Sequence, residues 1–71
     1  MKDLSRKILE TSIVHFDAHI EKHKMNAEVL LKNSVGVAEH PDIMETLEKE
    51  LAQAAHYRDL KEEAIEMLQE V

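Results

Sequence analysis

The chain has no cysteine and no tryptophan, one glycine, one proline and only Phe16 and Tyr57 as aromatics, in 71 residues. Each scarcity excludes something. Without cysteine there is no disulfide staple, no thiolate ligand and no thiol nucleophile. A single glycine, Gly36, builds no phosphate-cradling loop. With so few aromatics, packing must come from Leu, Ile, Val, Met and Ala. Apolar runs are short too: inside the helix-forming stretches the longest is Val29-Leu30-Leu31, far below the roughly 20 residues of a membrane span. The first residues alternate charged and apolar side chains and lack the apolar centre of a signal peptide. The expectation is a cytoplasmic protein with no membrane partner.

Where the breakers are missing, two long helices are predicted. Lys2 to Lys32 contains neither glycine nor proline, and neither does Asp42 to Val71; Gly36 and Pro41 both fall between them. Residues 1–71 therefore form one domain, with helix 1 over about 2–33, a loop over about 34–40 and helix 2 over about 41–70. Asp3 is the expected N-cap of helix 1, Asn33 or Gly36 its left-handed terminator, and Pro41 the first residue of helix 2. The loop carries Val35, Gly36, Val37 and Ala38, an apolar set that either covers the end of the bundle or docks a partner.

Charge is unevenly divided. The net charge is −6. Residues 2–33 hold six Lys/Arg against five Asp/Glu, and residues 39–71 hold three against ten. An acidic second helix without a cationic stripe excludes a nucleic-acid backbone as partner, because phosphate contacts need clustered cations. The same asymmetry favours helix 1 lying beside helix 2, within or between chains.

Periodicity sets the architecture. Leu9, Ile13, Phe16, Ile20, His23, Ala27 and Leu30 alternate at spacings of four and three, a coiled-coil seam. A second apolar stripe, Val14, Ala18, Met25 and Val29 with Leu4 and Ile8, lies roughly opposite. A helix apolar on two faces needs two neighbours, and one hairpin partner supplies one. In helix 2 a seam at Met44, Leu47, Leu51 and Ala54 gives way to Tyr57, Leu60, Ala64, Met67 and Val71, which reads as a discontinuity in the heptad. The expected fold is all-α: an antiparallel helical hairpin assembling as a homodimer into a four-helix bundle. Leu9, Ile13, Phe16, Ile20, Ala27, Leu30, Leu47 and Leu51 are its expected oligomer interface.

The one lead towards chemistry is histidine. His15, His19 and His23 follow one another at i, i+4 and i+8 on one helical face. In an antiparallel hairpin His56 falls near the level of residues 16–18, with Asp17 or Asp59 close by. Two or three imidazoles and a carboxylate would suit a divalent metal such as Zn²⁺, Ni²⁺ or Fe²⁺. The Glu-x-x-His signature of di-iron bundles is missing, since Ser12, Phe16, Ile20 and Gln53 stand three residues before the four histidines. A shared response to pH near 6.5 is the other use of such a row. Ser5, Ser12 and Ser34 lack any nucleophile context, and Glu48, Glu50, Glu62, Glu63 and Glu66 read as a solvated face. Arg58 and Lys61 interrupt the apolar pattern and are expected to pair with Glu62 or Asp17. The predicted function is a non-catalytic oligomeric interaction or structural module with no cofactor; the alternative is a metal-binding bundle on His15, His19, His23 and His56.

The order Ile13-Val14-His15-Phe16, then Leu30-Leu31-Lys32-Asn33-Ser34-Val35-Gly36-Val37-Ala38-Glu39-His40-Pro41-Asp42, then an acidic helix, resembles small helical proteins encoded by T4-like tailed bacteriophages. That family has no assigned activity, so the resemblance implies helical content and the cytoplasm of an infected cell, and transfers no site residue. It implies a small accessory protein; the expectation of a homo-oligomer or a protein partner comes from the two-faced helix 1.

Overall fold

The computed structural model describes residues 2–33 and 42–70. They form two helices, α1 over Lys2–Lys32 and α2 over Ile43–Gln69, which pack against each other; no strand occurs among the described residues. The expected roles of Val35, Gly36, Val37 and Ala38 in the loop, of Pro41 as a first helical residue and of Val71 in the second stripe lie outside the described residues.

The helix ends differ in detail from expectation. Asp3 sits inside the first turn of α1, where its carboxylate meets the positive end of the helix dipole, and is not the N-cap. Asn33 does not adopt a left-handed conformation, and no non-glycine residue does among those described. Its backbone N–H continues the helix to the Val29 carbonyl at 3.1 Å, and its side-chain amide donates to the same oxygen at 2.8 Å. One carbonyl that the helix end would leave half-used is thereby filled twice. Asp42 occupies the N-cap position of α2, where its carbonyl accepts from Thr46 N–H at 2.9 Å and its side chain makes no capping bond.

The helices share one continuous seam. On α1 it follows Leu9, Ile13, Phe16, Ile20, His23, Ala27 and Leu30, all buried or half-buried. On α2 it follows Ile43, Leu47, Glu50, Ala54, Tyr57, Lys61, Ala64 and Leu68, again all buried or half-buried. Spacings of four and three run without a break along both. The expected discontinuity in helix 2 is therefore absent: the heptad is intact, and Glu50 and Lys61 fill two of its seam positions. Met44, at 84% exposure, and Leu51, at 52%, belong to the outside of the hairpin.

Burial is thin. Among the described residues the buried ones are Ile20, Ala27, Ala54 and Ala64. Three of these are alanines, which let the helix axes approach closely but bury little apolar area. The chain is a rod of 55 × 14 × 12 Å with a radius of gyration of 16.4 Å, against about 11 Å for a compact domain of this length. Neither helix is long and apolar enough to cross a membrane.

Candidate functional site

Antiparallel packing brings the histidine row of α1 against Tyr57 of α2. His19 stacks on the Tyr57 ring at 4.3 Å between centroids and 10° between planes. His15 meets His19 edge-on at 4.6 Å and tilts against Phe16 at 5.8 Å. His23 lies nearly parallel to Tyr57 at 6.0 Å, and Phe16 is tilted against it at 6.3 Å. Tyr57 is thus the centre of the cluster, a role that its place in an apolar stripe did not reveal. His56 reaches Tyr57 only as its sequence neighbour, edge-on at 5.2 Å, and is exposed. One helical residue is a turn of about 100°, so the side chain that faces α1 at this level is Tyr57 and not His56.

This geometry does not gather the four histidines into a ligand set. Among the described residues no group of three or more His, Asp or Glu side chains is placed to hold a metal ion. The expected carboxylate neighbour Asp17 is engaged elsewhere, with the Lys61 ammonium 2.8 Å from its Oδ1. That pair was expected; Lys61 holds it from a seam position, where its stem lies along the hairpin and its head reaches solvent.

A second polar contact was not legible as such. Glu50 Oε1 lies 2.9 Å from His23 Nδ1 and accepts from the Asn26 amide at 3.0 Å. The side chains of His23 and Glu50 are 13% and 25% exposed. An ionised carboxylate can only accept, so this contact places a proton on His23 Nδ1. Hydrogen bonds from His23 and Asn26 hold the Glu50 carboxyl below its ordinary value, outweighing desolvation, with the charges of His23 and Lys22 acting in the same direction. Glu50 is therefore not part of the solvated acidic face. The signal available in the sequence was its spacing, three residues after Leu47 and four before Ala54.

His19 has the opposite environment. Its Nδ1 is buried and has no hydrogen-bond partner among the described residues. Desolvation first, then the nearby charges of His15, Lys22 and His23, depress its pKa below the ordinary 6.5.

The two flanks of the seam differ in charge. With Leu9 and Ile13 of α1 and Ile43 and Leu47 of α2 taken as heptad positions d and a, row e holds Asp3, Glu10, Asp17, Lys24 and Leu31 of α1 and Met44, Leu51, Arg58 and Ile65 of α2. There Asp17, Glu21, Lys24, Arg58, Lys61 and Glu62 surround Ile20 and Ile65 in an open groove of about 390 Å³. Three acids and three bases make this groove self-neutralising, with no net charge to draw an ion. Row g holds Ser5, Ser12, His19 and Asn26 of α1 and Thr46, Gln53, Leu60 and Met67 of α2, and not one Asp, Glu, Lys or Arg. The back of α1 exposes Leu4, Ile8, Val14, Met25 and Val29, each between 55% and 68%. Of the eight residues expected at an oligomer interface, seven line the seam inside the hairpin and Leu51 stands outside it.

Comparison of the chain with protein-family models, with curated proteins and with solved structures found no match.

Proposed function

We propose that this protein is a non-catalytic, self-associating helical module whose hairpins pair as a homodimer into a four-helix bundle. The observation that carries this reading is surface area. The chain exposes 5692 Å², whereas a folded monomer of 8.2 kDa is expected to expose about 4,500 Å². The excess is about 1,200 Å², more than the roughly 800 Å² each partner covers in a standard interface. Supporting it are exposed apolar side chains on both helices, Met67 of α2 among them, and a buried set made mostly of alanine. The polar side chains along the seam support a structural role, since Glu50 accepts from both His23 and Asn26 and Asp17 pairs with Lys61. The resemblance to T4-like bacteriophage proteins supports reading such a module as a small accessory protein of an infected cell.

Light scattering after size exclusion, in chelator at neutral pH and over a concentration series, tests this. The expected mass is twice that of the 8.2 kDa chain. A mass of one chain throughout a series of about 1 to 100 µM would overturn the proposal.

A further inference from the structure

We infer that a second copy of this chain stacks on the uncharged flank of the hairpin, with its α1 beside the first chain's α2 and both loops at the same end. This rests on the self-association proposed above and assigns its surface and its geometry.

Charge selects the flank. A helix in a bundle buries positions a and d and one of the two flanking rows, e or g. Burying an unpaired charge is costly, and the centre of an interface is depleted of charged residues. In this chain 34% of residues are charged, yet row g carries none, whereas row e, although it also holds Leu31, Met44, Leu51 and Ile65, carries Asp3, Glu10, Asp17, Lys24 and Arg58. Leu60 is half-buried and Met67 more than half exposed on the uncharged side, which supplies apolar contact there. His19, stacked on Tyr57, stands in the middle of the same row.

The charge balance of the two helices then selects the pairing. α1 carries six basic and five acidic residues, a net of +1. α2 carries three basic and seven acidic residues, a net of −4. Two hairpins stacked flank to flank around a twofold axis have two options. With the loops at opposite ends, each α2 lies on the other α2, and like charge faces like charge along the rod. With the loops at the same end, each α2 lies between two α1 helices and meets its own kind only across the diagonal. The second arrangement also sets the g residues of α1 between the levels of those of the facing α2, as interdigitation requires.

Two measurements on the full chain test this. The double variant Gln53→Lys/Met67→Lys places charge on the proposed flank at two positions exposed in the hairpin, so the hairpin itself retains its helicity by circular dichroism. Lysine lowers the overall negative charge, so any loss of pairing reflects burial of charge and not general repulsion. The double variant is expected to weaken dimerisation at least about 100-fold, whereas Leu51→Lys on the opposite flank leaves it within about threefold, fold-changes equivalent to roughly 2.7 and 0.7 kcal/mol. Spin labels at Asn33→Cys, the sole thiol, then read the pairing. Loops at one end give a label separation below about 25 Å, and loops at opposite ends give about 45 Å or more, the length of α1 at 1.5 Å per residue. A monomeric parent chain would overturn self-association and this inference with it. A dimeric parent whose double variant still pairs, or whose Leu51→Lys variant does not, would overturn the flank and leave self-association standing. A long label separation would overturn the pairing of α1 with α2.

Discussion

Two histidines one turn apart, His19 and His23, face α2 in opposite electrostatic settings. His23 donates to the Glu50 carboxylate. His19 is packed on Tyr57 with an unpartnered Nδ1 and with His15, Lys22 and His23 as its charged or chargeable neighbours on α1. Because folding depresses the His19 pKa below 6.5, the unfolded chain takes up a proton that the folded chain refuses. Stability is then expected to fall as pH drops below about 6.5, until folded His19 itself protonates. Glu50 acts in a lower window. Its depressed pKa stabilises the fold above about 4.5, and that contribution is lost as pH falls further. Thermal midpoints measured from pH 8 to pH 3 should show both declines. His19→Phe, which keeps a ring on Tyr57 and removes the orphan nitrogen, should erase the upper decline and leave the lower one. An upper decline that survives in this variant would assign it to another histidine. Glu50→Ala should lower the neutral-pH midpoint more than Glu50→Gln does, because the amide oxygen of Gln can still accept from His23 and Asn26. Equal midpoints would mean that these two hydrogen bonds contribute nothing.

At the scale of the element, the breakers and the 3–4 spacing made two helices and the α1 seam readable, because Leu9 through Leu30 are apolar at every seam position but one. The α2 seam was hidden because Glu50 and Lys61 occupy it. Apolar periodicity skips such positions and jumps to Leu51 and Leu60, which produces an apparent drift where the helix has none. The histidine row was legible for the same reason as the α1 seam, being local to one helix. Its partner was not, because choosing between His56 and Tyr57 needs the register between helices to within one residue. The seam assignment has a direct consequence for stability. Ile20, at 6% exposure, should lose about 2–4 kcal/mol on truncation to Ala. Leu51→Ala, outside the seam, should stay within about 0.5 kcal/mol for the hairpin. Urea unfolding of both variants, with Leu51→Ala costing as much as Ile20→Ala, would restore the discontinuous seam and refute the one described.

For the whole molecule, the decisive quantity is how stability depends on concentration. A rod that exposes about 1,200 Å² beyond the norm for its mass, with a buried set made mostly of alanine, has little to hold it folded alone, and a partner copy adds a second layer of contact. If folding and pairing are one event, unfolding of the dimer yields two chains, and each tenfold rise in concentration stabilises the dimer by about 1.4 kcal/mol. Spread over the unfolding entropy of two chains, at about 2.1 cal/mol/K per residue, this raises the thermal midpoint by about 4–5 °C per decade. A metal-built bundle would behave differently. Its midpoint would climb with Zn²⁺ or Ni²⁺ and collapse in chelator, since a ligand that binds the folded state alone stabilises it by mass action. The hairpin offers no converging set of three ligands among the described residues, so we expect a midpoint that moves with protein concentration and stays within about 1 °C on adding either metal. A metal-dependent rise that His19→Phe abolishes would reverse the order of the two readings. A midpoint independent of both concentration and metal would mean that the hairpin folds as a single chain.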